Sequence, residues 1–388
     1  MYLWLYRQAL GALLLTALLQ PQPPGDPAPT GPQIVAERRV FLPVVAAQRP
    51  PQVTASDYVT GVTGLNTFRK LGCAAAYDTQ QRPLADGVVI LFFGQPAYTP
   101  PFGAEPGGYG THLPGAGRFV SIPQIRAAVQ AWIDGYLDGF DDGVFSCAAP
   151  SRGLPRITLV VATSNEPLVI NQPLAAGAEQ PDAGDPDPTM PEHGIGWGRL
   201  INNLGDYIVQ KNGTRFLSIA GGSDIELAWN GPTNTRTWVE SYYTLADYPL
   251  YVPGSCDGCP DNPKNAPSSG DYSFGWTAQD IWTVVTFKNT VVIPQIYLED
   301  GTQARQWATL ATVTRSLGPI RFRGALAQFQ ACVDRQNDDP CTGVKNTPQQ
   351  GWSQFAQALK NQALDSRLPW LTDVRWNFDQ TPFQKGGS

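Results

Sequence analysis

Gly87-Val88-Val89-Ile90-Leu91-Phe92-Phe93-Gly94 and, further on, Ile157-Thr158-Leu159-Val160-Val161-Ala162 are short β-branched and aromatic runs with no polar face. A strand that is apolar on both sides must be covered on both sides, which is the condition of a parallel sheet wrapped by helices. The segment between the two runs supplies such a cover: Ile122, Ile125, Val129, Trp132, Ile133 and Tyr136 recur at helical spacing over 122–140. The alternation continues along the chain. Apolar runs at 215–220, 249–252, 291–297 and 320–328 are predicted strands, and 196–211, 235–245, 278–287, 303–315 and 352–365 are predicted helices. A final apolar stretch, 374–378, closes the set, and 58–77 can supply one more element. Six or seven such units predict an α/β fold of the (β/α)8 (TIM) barrel type, irregular or incomplete, over residues 56–388. A doubly wound open sheet is the alternative, but no glycine-rich dinucleotide fingerprint or Walker sequence accompanies it.

The flanks and composition bound the remaining possibilities. Arg7 followed by the apolar stretch Ala9 to Leu19, stopped by Gln20, Pro21 and Pro23, reads as an export signal over residues 1–20. An uncleaved N-terminal anchor would need Tyr2 to Tyr6 drawn into the span. Residues 21–55 begin with a proline-rich stretch that cannot bury a core and read as a linker. The protein is therefore expected to be secreted, or retained at the cell surface by its first segment. Of 388 residues, 27 are Lys or Arg and 33 Asp or Glu, a net charge of −6 without any basic run. Nucleic-acid binding is excluded on that ground, and so is a membrane partnership beyond the N-terminal segment.

Six cysteines, Cys73, Cys147, Cys256, Cys259, Cys332 and Cys341, fit an oxidising compartment. Proximity in sequence pairs Cys332 with Cys341 and Cys256 with Cys259, leaving Cys73 for Cys147. A zinc site would want a second closely spaced pair, and a thioredoxin-like role a different context. No cofactor or metal is implied, and a monomer is expected.

In a barrel of this type reacting groups come from the C-terminal ends of the strands and the loops after them. Those positions hold Asn165 and Glu166, then Ser223-Asp224-Ile225-Glu226-Leu227-Ala228-Trp229, then Tyr297, Glu299 and Asp300, then Gln328, and finally Trp376. Asp224 and Glu226, two apart, share a face of an extended chain. Two neighbouring carboxyls resist joint ionisation, so one tends to keep its proton. Glycosidic cleavage needs that division. Glu226, the longer, is expected to be the acid, Asp224 to tune it, and Trp229 to offer a sugar platform. Asn165, Glu166, Tyr297, Glu299, Gln328 and Trp376 are the expected substrate contacts. Structural roles compete: Asp224 as a cap, Glu226 in an ion pair with Arg199, Arg215 or Arg236, or the pair as metal ligands. His112 and His193 fall in predicted loops far apart, and without a Gly-x-Ser-x-Gly elbow they do not support serine-hydrolase chemistry. The acidic stretch Asp182, Asp185, Asp187 and Glu192 reads as a solvated loop, with Ca²⁺ the alternative.

Asp224-Ile225-Glu226 after an apolar strand resembles the Asp-x-Glu element of family 18 chitinases and family 25 lysozymes. The stretch from there through Trp229, Trp238, Gly254-Ser255-Cys256-Asp257-Gly258-Cys259-Pro260, Trp276-Thr277 and Pro294-Gln295-Ile296-Tyr297 also resembles secreted, glycoside-hydrolase-like bacterial barrel proteins of unknown function. The resemblance implies hydrolysis of an extracellular or cell-wall polysaccharide assisted by Asp224 and Glu226. The alternative is non-catalytic glycan or surface binding on the same scaffold. Family 18 enzymes carry another Asp two residues earlier, where this chain has Gly222, and family 25 enzymes carry an Asp where it has Gly94 and Gln95.

Overall fold

The computed structural model describes residues 49–80, 86–101, 107–115, 117–143, 146–148, 156–170, 189–266, 272–335 and 341–376. The expected export segment and the run Asp182, Asp185 and Asp187 lie outside them, as does most of the expected linker. In chain order the elements are β1 (Val53–Tyr58), α1 (Leu65–Gln80), β2 (Gly87–Phe92), β3 (Gln95–Thr99), β4 (Gly108–His112), β5 (Phe119–Ser121), α2 (Ile122–Asp138), β6 (Phe140–Asp141) and β7 (Ser146–Cys147). There follow β8 (Ile157–Ser164), β9 (Val169–Ile170), α3 (Met190–Gln210), β10 (Leu217–Asp224), α4 (Pro232–Leu245), β11 (Leu250–Val252), α5 (Ala278–Thr286) and β12 (Val291–Val292). The last described elements are α6 (Thr302–Val313), β13 (Gly324–Ala327), α7 (Phe329–Asp334), α8 (Pro348–Asn361) and β14 (Trp370–Arg375).

Eight parallel strands form one sheet in the order β12-β11-β10-β8-β2-β1-β14-β13. Its two edges meet. Val292 N–H donates to Arg321 O at 2.9 Å, Leu326 N–H to Pro294 O at 2.8 Å, and Ile296 N–H to Leu326 O at 3.0 Å. The sheet is therefore a closed (β/α)8 barrel. Alternate side chains explain the two-faced apolar runs: Val88, Ile90, Phe92, Val160, Ala162, Ala220 and Leu326 fill the interior. Val89, Leu91, Leu159, Val161 and Ile219 face the helices. Beside the barrel, β3, β4, β5 and β9 make a small separate sheet in the loops that follow β2 and β8.

Two differences from the sequence reading bear on the site. The first strand is β1, which begins at Val53, inside the stretch expected as linker, because Thr54, Ser56 and Asp57 disguise a buried strand. Ser56 Oγ lies 2.7 Å from Thr372 Oγ1 and accepts from Ile90 N–H at 2.8 Å, so this polar core is satisfied internally. The strand read as third is thus the fourth of the barrel. It also runs past Ala220 to Asp224, since Gly221-Gly222 serve packing rather than a turn: a Cβ at Gly222 would sit 2.6 Å from Ala162 Cβ.

The bridges Cys73–Cys147, Cys256–Cys259 and Cys332–Cys341 are all present. Among the described residues no cluster of His, Cys, Asp and Glu is arranged for a metal ion, and no helix is long and apolar enough to cross a membrane.

Candidate active site

Inward positions on β10 fall at Ser218, Ala220, Gly222 and Asp224, so the barrel's own alternation aims Asp224 at the axis where the strand ends. Its register partner is Ser164, the last residue of β8. Gln295, in the segment that continues β12, donates from Nε2 to Asp224 Oδ1 at 2.8 Å and to Pro253 O at 3.1 Å. Two residues on, Glu226 is held by its backbone: its N–H donates to Asn165 Oδ1 at 3.0 Å, and Asn165 Nδ2 donates to Glu226 O at 3.1 Å. The Glu226 carboxylate accepts from Ser255 Oγ at 3.0 Å. Glu166, after β8, accepts from Ser164 Oγ at 2.9 Å.

Three carboxyls therefore converge, and among the described residues no Lys or Arg forms an ion pair with any of them. Arg236 pairs with Glu240 instead. Burial raises the Asp224 carboxyl well above its usual range, and the charges of Glu226 and Glu166 raise it further against the Gln295 hydrogen bond. Burial also pushes Glu226 up to about 7; Asp257 and Glu166 add to this, while hydrogen bonds from Ser255 and Gln295 oppose it. Burial raises Glu166 as well, opposed by Ser164.

A carboxyl held at about 7 rather than 4.5 is bound to its proton more tightly in the folded chain than in the unfolded one. Its contribution to stability is full below the unfolded value and is lost as pH rises through about 7, a change on the order of 3 kcal/mol. Glu226→Gln removes the titration, so its melting temperature is expected to exceed that of the parent at pH 8 and to match it at pH 4. Equal differences at both pH values would refute the assignment.

The cleft that Asp224 and Glu166 line has a volume of about 440 Å³, in the range of small-molecule sites, and Glu226 stands next to Asp224 without being one of its lining side chains. Tyr58, Phe92, Thr163, Ser164, Asp224, Glu166 and Trp229 line it from the barrel side, and Gln95, His112, Leu113, Pro114 and Gly115 from the small sheet and its turn. Tyr58 packs against Phe92 and Trp376, each with ring centroids 5.2 Å apart. Trp376 in turn lies under the Arg335 guanidinium at 4.3 Å. Tyr297 is buried beside Tyr58, with which its hydroxyl interacts, and it feels the charges of Asp224 and Glu226.

Of the expected contacts, Trp229 and Glu166 line the cleft, and Trp376 closes over Tyr58. Asn165 is buried as a brace for the Glu226 backbone. Glu299 and Gln328 are not among the cleft-lining side chains. Glu299 is exposed, its carbonyl accepting from Gln354 of α8, and Gln328 stands at the N-terminus of α7. Neither histidine is in a loop: His112 ends β4, and His193 is buried on α3 between Gly110 O and Trp238 Nε1. Sequence reasoning missed Ser255, Gln295 as a partner of Asp224, and Tyr58. The signal for Gln295 was available, since it stands two residues beyond the inward Ile293.

No family model matches the chain, nor does any curated protein. Among solved structures, one described as "Complex structure of GH113 beta-1,4-mannanase" is similar over 86% of this chain and 90% of its own, at 10% identity and a TM-score of 0.38.

Proposed function

We propose that the protein is a secreted glycoside hydrolase acting on an extracellular or cell-wall polysaccharide, with Glu226 as proton donor and Asp224 as its coupled partner. The observation that supports this reading is the set of carboxyls Asp224, Glu226 and Glu166 at the C-terminal mouth of a (β/α)8 barrel. Each is raised by burial, none is ion-paired with a Lys or Arg among the described residues, and Asp224 and Glu166 line a cleft with an aromatic wall. Glu226 gives its proton to the glycosidic oxygen as the bond from that oxygen to the anomeric carbon breaks. The negative charge then left on Glu226 faces the positive charge that develops on the sugar; water adds its oxygen to the anomeric carbon and gives its proton to the Glu226 carboxylate, which restores the acid.

Gly222 favours a second reading. No side chain fits there, so the extra Asp of the chitinase pattern has no place in this barrel, and Gln295 occupies the neighbourhood of Asp224 instead. Non-catalytic glycan binding on the same scaffold is the reading this departure supports. The deciding test incubates purified protein with chitin, peptidoglycan, mannan and plant β-glucans and assays new reducing ends. Turnover of one of them supports the hydrolase. Binding without turnover, retained in the Asp224→Asn, Glu226→Gln double variant, supports the binding protein and overturns the hydrolase.

A further inference from the structure

Glu226 stands beyond the end of its strand, and the loop after β11 supplies what holds its carboxylate. Gly254 lies against the backbone of residue 225 so closely that a Cβ would sit 2.2 Å from Ile225 O. Its carbonyl accepts from Gln295 N–H at 3.0 Å. Ser255 is buried, and its hydroxyl donates to Glu226 Oε2. Cys256 and Cys259, both buried, close a tight turn in which Cys259 N–H donates to Cys256 O at 2.8 Å. That turn is tied to α6 by Gln306 Nε2, which donates to Cys259 O at 2.9 Å.

In the chain-entropy account a bridge between residues three apart constrains the unfolded chain least of the three present, the others spanning 9 and 74 residues. Its effect is therefore local, and the local feature is Ser255. We propose that the Cys256–Cys259 turn is a positioning device for the active site: the bridge and Gln306 fix the Ser255 hydroxyl against Glu226, and Ser255 is the positioning residue that sets how that carboxyl is aimed and protonated. The inference rests on the hydrolase reading for its catalytic meaning, but its geometry stands apart from any substrate.

Among the described residues the titratable groups facing Glu226 are Asp224 from β10, Glu166 from the end of β8, Asp257 from the same turn, and the phenols of Tyr58 and Tyr297. All are acidic or neutral, so a hydrogen bond that favours the ionised form has few competitors. Removing it raises the Glu226 titration midpoint by about one unit or more, the size of one hydrogen bond to a charged group.

The experiment follows the Glu226 carboxyl by NMR of the full chain labelled with ¹³C at glutamate side chains, the resonance assigned through Glu226→Gln. Ser255→Ala is expected to raise the midpoint, and Ser255→Thr to restore it. Cys256→Ala/Cys259→Ala is expected to raise it too, with no further shift when Ser255→Ala is added, because both act through one contact. Gln306→Leu, which keeps the bridge, gives a smaller rise and serves if the cysteine variant fails to fold. An unchanged midpoint in Ser255→Ala, or bridge and serine effects that simply add, overturns the proposal. Because no glycan is used, the expected shifts in a protein without turnover would keep this inference and discard the hydrolase. Turnover without the shifts would do the reverse.

Discussion

Glu226→Gln is expected to lower glycan hydrolysis by about 10²- to 10⁴-fold, the usual share of one positioned acid or base, while leaving the fold intact. The amide keeps the size of the side chain and can still accept from Ser255, so the change isolates the proton. In the parent, the acid is active while protonated, and at about 7 it loses that form across neutral pH. The alkaline limb of the rate profile should therefore fall near 7 and disappear from the residual activity of the variant. Asp224→Asn is expected to cost less and to shift that limb downward, because the two carboxyls repel when both are ionised and titrate as a pair, and the amide removes that repulsion. Reducing-end release at several pH values for the three proteins decides the matter. A Glu226→Gln protein with unaltered rate and limb would remove Glu226 from the chemistry.

The barrel was legible because its strands must be apolar on both faces while the helices between them are not, and that contrast survives in Gly87–Phe92 and Ile157–Ser164. It was illegible at β1, where buried hydroxyls are satisfied by Thr372 and by the backbone, and a polar core strand has no one-dimensional signature. The predicted strand stops at residue 220 for a related reason, since Gly221 and Gly222, which continue β10, carry no apolar side chain. They reflect the Tyr242 ring and the interior side chains packed against them, not a turn. At the site, Asp224 and Glu226 were readable from spacing because the inward face of β10 continues to its end. Ser255 was not, since it matters only through the neighbour that the fold brings to it.

Arg375→Leu is expected to destabilise the barrel by about 3–5 kcal/mol, the cost of stranding a buried charge. Arg375 on β14 donates to Asp57 on β1 through Nε at 2.9 Å and Nη2 at 2.8 Å, a two-point contact across the seam where the first and last strands pair. The side chains are 14% and 2% exposed, so water can do little for either once its partner is gone. Arg375 also feels Asp78 on α1 and Asp334 on α7, and together with Asp57 these acids keep it charged against the burial that opposes it. Among the described residues no other Lys or Arg forms an ion pair with Asp57. Replacing both partners, Asp57→Val with Arg375→Leu, removes the stranded charge and should cost less than Arg375→Leu alone, because the desolvation of both ions is also removed. Guanidinium unfolding at pH 7 gives the comparison, provided the denaturant slope is unchanged. A single-variant loss below about 1 kcal/mol, the scale of an exposed pair, would show that the seam is held by its backbone ladder and not by this contact.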